Sequence, residues 1–259
     1  MIVEALAEFL TLGELGGVVV NGLAKSALYV MIASGLTLIF GLMGVLNFAH
    51  GSLTMVGAYL GGLLMVVTVT GGTAPLTRLG LFFVAIIVVF ALLTVLGGAI
   101  ETTIIRPLYD RPPIYQILLT FGLTLVIEEV VRIVLGIYDL QPLSDWQAAL
   151  ATKPQFLREP VALGPVSAGW LSLFQILLGT ITVVGIWAFL TKTRYGLYIR
   201  AGSEDTEMAS ALGIDVRQVF TVVFALGIGL AGAAGTLLMW DPTWGASVPL
   251  AAETLLPAF

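Results

Sequence analysis

The sequence predicts an all-α protein: a polytopic transmembrane helical bundle. Two features of the composition predict it first. Of the 259 residues, 58% are hydrophobic and only 10% charged, with a mean hydropathy of +1.04. An ordinary soluble domain is about 45–50% apolar and about 25% charged. With 11 basic and 16 acidic residues, too few charges are present to cover a water-soluble fold of this length. The third observation is spacing: six stretches run to about 20 mostly apolar residues, the length that crosses a hydrocarbon core. An ordinary cytosolic enzyme and a disordered chain are excluded, and the net charge of −5 points away from phosphate backbones.

The elements follow in order. The N-terminal MIVEALAEFL has two Glu and no basic residue, unlike the positive start of a cleaved secretory signal. It reads as an amphipathic lead-in to the membrane. Spans are expected at 18–42, 45–69, 79–100, 114–137, 169–190 and 218–240. From Ser26 to Ile100 the only formal charge is Arg78. A strand barrel is disfavoured, because its segments run about 10 residues and alternate with period two. A break is expected near 46–51, where Asn47, His50 and Ser52 place polar groups in a glycine-rich apolar run. Such groups need partners inside a membrane. A satisfied interhelical hydrogen bond is the plainer account of His50, and a place on a substrate path is the alternative.

Lysine and arginine set the expected orientation. Arg106, Arg111, Lys192, Arg194, Arg200 and Arg217 flank the third and fifth spans on one side. Arg78, Lys153 and Arg158 lie on the other, and the N-terminal lead-in has no basic residue. The N-terminus is therefore expected outside, with 101–113 and 191–217 cytoplasmic and 138–168 an extracytoplasmic loop. Within the spans, Glu128 and Arg132 are spaced i,i+4 in the favourable acid-first order. Lys25 can extend its ammonium outward. There is no Cys and one His, so a disulfide framework, a thiolate metal site and a multi-His metal site are excluded.

The loop TKTRYGLYIRAGSEDTEMASALGIDVR at 191–217 holds four basic and four acidic residues. Ser203 is expected to cap a short helix with Glu204 and Asp205 in its first turn, where the macrodipole favours anions. Thr206–Leu212 is helix-compatible, and Gly213 suits the left-handed residue that ends a helix. Ala209, Ser210 and Ala211 are expected on its surface, small enough for another protein to approach the backbone. A solvated loop that merely satisfies the positive-inside rule is the plain alternative.

Glu207, Ala209 and Gly213 match three of the four fixed positions of the glutamate-alanine-alanine, three residues, glycine pattern of ABC importer permeases. Met208 departs from the second. The run GLTLIFGLMGVLNFAHGSLTMVGAYL at 35–60 resembles permeases of branched-chain amino acid ABC importers of the LivH type. So do 101–132, 200–215 and VFTVVFALGIGLAGAAG at 219–235, in the same order. The resemblance implies an ABC importer permease fold, a single permease domain over 1–259, and a coupling helix within 191–217. Ser203, Glu204, Asp205, Glu207, Ala209 and Gly213 are then the residues expected to couple to the ATPases, and Asn47, His50 and Ser52 those expected on the substrate path. It further implies a second related permease, two ATP-binding subunits and an extracytoplasmic binding protein, with no cofactor in this chain because ATP is bound by the partners. A bacterial plasma membrane location follows. The family ordinarily continues past the last residues with a glycine-rich stretch and further spans, so the chain is expected to be C-terminally short.

Other functions remain open on residues alone. Urea and short-chain amide importers have similar permeases. A passive channel or proton-coupled carrier would use Glu128 and Glu129 instead. An intramembrane hydrolase built on His50 with Ser34 or Ser52 lacks the zinc motif and the nucleophile elbow such chemistry is recognised by.

Overall fold

The computed structural model describes residues 11–135, 144–241 and 245–258. The lead-in at 1–10 lies outside these. The described elements run in the order α1 Leu12–Met43, α2 His50–Thr68, α3 Pro75–Ile100, α4 Pro113–Leu135, α5 Ser144–Ala151, β1 Pro160–Leu163, β2 Val166–Gly169, α6 Trp170–Lys192 and α7 Arg194–Glu204. They are followed by the six-residue α8 Thr206–Ala211, then α9 Val216–Leu238 and α10 Leu250–Ala258. Among the described residues, five helical stretches are long and apolar enough to cross a membrane: Gly13–Met43, His50–Thr68, Pro75–Leu108, Trp170–Lys192 and Val216–Leu238. Of the stretch expected at 114–137, the described part up to Leu135 is also helical, as α4, and carries Glu128, Glu129 and Arg132; 136–137 lie outside the described residues.

Burial identifies the central helix. In α9 the apolar window is 78% buried, against 11% in α6. α1, α2 and α3 pack around α9, and α6 packs on the outside of α1. Close approach depends on missing side chains. A Cβ on Gly235 would collide with the Thr54 carbonyl of α2, so only glycine lets the two backbones meet there. The outward faces of α3, α4 and α6 are rich in exposed Val, Ile and Leu, which suits lipid rather than water.

The break after α1 has local causes. Gly44 takes a left-handed φ of 65° and donates its N–H to Phe40 O at 2.9 Å, which ends α1. The Asn47 side chain accepts from Ala49 N–H at 3.1 Å, and His50 opens α2. The non-helical stretch is 44–49, so Gly51 and Ser52 stand inside α2 rather than in the break as expected. His50 Nε2 lies 3.0 Å from Ile32 O, eleven residues before the end of α1. At 1.5 Å per residue the chain has doubled back by about 16 Å before α2 starts. α2 therefore begins partway down the bundle. Thr120 of α4 donates to Leu46 O at 3.1 Å, supplying one partner the broken backbone needs.

The loop expected at 138–168 has structure of its own where described: α5, a short 3₁₀ turn at Gln155–Arg158, and an antiparallel hairpin pairing Val161 with Ala168. Gly164, at φ 68°, makes its tight turn. β2 packs against the first turns of α1.

Candidate functional site

The ends of the bundle carry its polar chemistry. At one end lie 101–113 and 191–217, and there Arg106 Nη2 donates to Thr221 Oγ1, in the first turns of α9, at 2.5 Å. At the other, Arg78 donates to Ala151 O at 3.4 Å and Lys153 Nζ to Trp240 O at 3.3 Å. The two groups of basic residues sorted by sequence thus sit at opposite ends.

At the first end, 191–217 forms a chain of capped helices. Thr193 Oγ1 accepts from Gly196 N–H at 3.0 Å and starts α7. Asp205 Oδ1 accepts from Met208 N–H at 2.8 Å and starts α8. Gly213, at φ 86°, ends α8: its N–H reaches Ser210 O at 3.0 Å, and Ile214 N–H reaches Ala209 O at 3.1 Å. Asp215 then caps α9, accepting from Gln218 N–H at 3.1 Å.

Two expectations for this loop need correction. Ser203 does not cap the short helix, and Glu204 and Asp205 are not its first turn. Ser203 Oγ donates back to Arg200 O at 2.9 Å inside α7, Glu204 ends α7, and Asp205 is the cap. The reason is that 194–204 is itself a helix with its own threonine cap, so the next cap falls two residues later. Ala209 is buried rather than displayed. The exposed surface of α8 and its end includes Thr206, Glu207, Met208, Ser210, Ala211 and Leu212, with Leu212 75% exposed. A cavity of about 330 Å³ lies beneath, between Tyr195 and Tyr198 of α7 and the 212–219 segment.

At the opposite end a cavity of about 430 Å³ opens between α1, α6 and the 153–158 segment. Asn21 and Lys25 of α1, Ser172 and Gln175 of α6, Lys153, Arg158 and Asp241 supply its polar lining, with Ala24, Leu157 and Leu171 between them. Gln175 and Asp241 are nearly buried, and Gln175 Nε2 donates to Asp241 Oδ2 at 3.2 Å. Ser172 Oγ donates to Asn21 Oδ1 at 2.9 Å. Burial, aided by neighbouring Arg158, pushes the Lys153 ammonium below the ordinary lysine range, and Asp241 opposes the shift. Both signs of charge thus face one cavity beside apolar carbons. The sequence singled out Lys25 as a charge within a span, and Lys153 and Arg158 only for orientation; the lining residues come from four separate parts of the chain and share no short motif.

The three path candidates lie together at the start of α2, and all are buried. Ser52 Oγ donates to Glu128 Oε1 at 3.4 Å, while Glu128 and Glu129 face Arg132 at 3.9 and 3.5 Å. Asn47 Nδ2 and His50 Nδ1 are buried without a hydrogen-bond partner. His50 does make the interhelical hydrogen bond weighed for it, to Ile32 O.

Membrane-length apolar helices around a glycine-packed centre, with a charged cavity at one end and a capped helical loop at the other, make this a multi-pass membrane protein. A family model described as branched-chain amino acid transport system, permease component, matches residues 18–259, and the chain belongs to that family. Its relatives include the high-affinity branched-chain amino acid transport permease BraD of Pseudomonas aeruginosa, 28% identical over 222 residues, 85% of this chain and 69% of that protein. LivH of Escherichia coli K12 is 28% identical over 84% of this chain and 68% of its own. A probable LivH of Methanocaldococcus jannaschii is 31% identical over 82% and 62%. No solved structure matches. The family is a transport permease component, not an enzyme, and the hydrolase and channel readings are not favoured.

Proposed function

We propose that this chain is the membrane-spanning permease subunit of an ATP-driven importer of branched-chain amino acids. Membership of the family over 18–259 carries the reading. The subunit works beside a second related permease, two ATP-binding subunits and an extracytoplasmic binding protein, in the plasma membrane. The basic end, with 101–113 and 191–217, faces the cytoplasm, as the distribution of Lys and Arg supports. The N-terminus and 138–168 are outside.

Each end then has a task. The segment Ser203–Gly213 meets the ATPases. Glu204, Asp205 and Glu207 give it an anionic edge, Asp205 and Gly213 fix its two ends, and Ala209 anchors it to the body. Movement of α8 passes through Asp215 into α9, the helix every inner span touches. The outer cavity receives the amino acid from the binding protein. Asp241 suits its ammonium, Lys25, Lys153 and Arg158 its carboxylate, and Leu157 and Leu171 its aliphatic side chain. Deeper down, Asn47 and His50 retain unused hydrogen-bonding capacity at the break, and with Ser52 they line the path when the helices part.

The test is purification in mild detergent with mass spectrometry of the partners, followed by reconstitution into liposomes. Two ATPases and a second permease, with ATP-dependent uptake of labelled leucine, are expected. Uptake of labelled urea in place of leucine, or uptake that needs no ATPase, overturns the reading.

A further inference from the structure

The cytoplasmic-side end of α3 does something the α-helical rules do not anticipate. After Ile100 the helix continues as a π-turn, Glu101–Ile105, and a 3₁₀ turn, Arg106–Leu108. Residues five apart on an α-helix sit about 140° round from one another and do not meet. Here the Arg106 N–H bonds to Glu101 O in the i→i+5 pattern, which brings the two side chains together. Glu101 is fully buried. Its Oε1 accepts from Arg106 Nε at 3.2 Å and from the Tyr109 hydroxyl at 2.5 Å, and its Oε2 accepts from Arg106 Nη2 at 2.8 Å.

The group also grips α9. The same Arg106 Nη2 reaches Thr221 Oγ1, and the Tyr109 ring stands edge-on to Phe220, centroids 5.5 Å apart and planes at 89°. Phe220 and Thr221 lie just inside the start of α9, after the loop that holds α8 and the Asp215 cap. A buried ion pair is a weak source of stability compared with apolar packing of the same volume. A π-turn is an uncommon element concentrated at functional sites. Together they have one evident geometric result: two helices that would otherwise meet through apolar contact are tied at the end where motion enters.

We propose that Glu101 is a positioning residue for transport: with Arg106 and Tyr109 it clasps the start of α9 to the end of α3, so that the two helices move as one body when α8 is pushed. The proposal rests on the reading that α8 receives motion from ATPase partners. It is separable from the choice of substrate.

The experiment uses the assembled complex in nanodiscs. The chain has no cysteine of its own, so Thr102→Cys and Arg217→Cys, both at exposed positions, are spin-labelled in the purified permease before its partners are added. Their separation is read by pulsed electron resonance, at rest and trapped with ATP and vanadate. With the clasp intact, one narrow distance distribution is expected in both states. With Glu101→Gln, or with Thr221→Val, which removes the Arg106 hydrogen bond to α9 and the Thr221 bond to Arg217 O but leaves the Glu101–Arg106 pair, the distribution broadens or shifts on trapping. Solute moved per ATP hydrolysed falls about tenfold, the scale of one lost hydrogen bond to a charged group. An unchanged distribution in Thr221→Val overturns the proposal. So does a fall of transport and hydrolysis in parallel with the amount of assembled complex, which is what a merely structural role gives. Should the labels behave as expected while leucine is not carried, the clasp stands and the substrate reading falls.

Discussion

Trp240 lies flat on Phe82, ring centroids 3.6 Å apart and planes 12° from parallel, and its indole N–H donates to Thr152 Oγ1 at 3.0 Å. The three residues come from the segment after α9, from α3 and from the outer loop, and Trp240 is fully buried. One side chain therefore joins the end of the central helix to a flanking span and to the loop above it. Phe82→Ala is expected to remove about 3–5 kcal/mol of stability. Thr152→Val, which leaves the indole N–H unpaired, is expected to cost about 1–3 kcal/mol. Thermal unfolding in detergent, followed by size-exclusion of the surviving protein, checks the order: Phe82→Ala below Thr152→Val below wild type.

Glycines in this chain divide into those that need their missing Cβ and those that do not. Gly235 faces the Thr54 carbonyl, and a Cβ there has nowhere to go; Gly122 of α4 has nothing within 4 Å. Gly235→Ala should therefore destabilise by about 1–3 kcal/mol through forced separation of α9 from α2. Gly122→Ala should be neutral, or stabilising by up to about 1 kcal/mol from helix propensity alone. Equal loss of folded protein from both variants in the same detergent assay would contradict the packing described.

Much of this architecture can be read from the residues because the bilayer imposes a length and a polarity on every span. The break is legible in the polar Asn47 within a glycine-rich apolar run: Gly44 ends α1, and the Asn47 side chain turns the non-helical backbone by accepting from Ala49 N–H. The short helix in 191–217 is legible in a serine cap followed by acidic residues and in Gly213, yet the cap lies two residues further on, at Asp205. Ser203 and Asp205 are both good caps, and the sequence does not say that a separate helix already occupies 194–204. The clasp at Glu101 escaped because Glu101 and Arg106 are neighbours only on a π-turn. The outer cavity escaped because Asn21, Lys153, Gln175 and Asp241 are brought together by the packing of α1 and α6 with the outer loop and by nothing local.

The corrected cap gives a sharp contrast within three residues. Asp205→Ala removes the acceptor for Met208 N–H and should cost α8 about 1 kcal/mol, a large share for a helix of six residues. Ser203→Ala should be silent, because the Ser203 hydroxyl only returns to its own helix. Gly213→Pro should be the most severe, since proline can neither reach φ 86° nor donate to Ser210 O. In the reconstituted complex the ratio of leucine carried to ATP hydrolysed should fall in the order Ser203→Ala, Asp205→Ala, Gly213→Pro, with permease levels in the membrane unchanged. A silent Asp205→Ala beside a damaging Ser203→Ala would restore the cap first expected from the sequence.

The outer cavity makes a prediction that separates charge from shape. Asp241→Asn keeps the volume and an acceptor for Gln175 Nε2 but removes the negative charge that faces Lys25, Lys153 and Arg158 across the cavity. If Asp241 receives the ammonium of an amino acid, uptake should fall about tenfold or more, the scale of a hydrogen bond between charged groups. ATP hydrolysis by the complex without binding protein should not change, since α8 and its caps lie at the far end. Leu157→Met, a near volume-conserving change on the same wall, should cost little. Transport assayed at saturating binding protein distinguishes the two variants, because selection upstream is then constant. Equal uptake in Asp241→Asn and wild type would remove this cavity from the substrate's route.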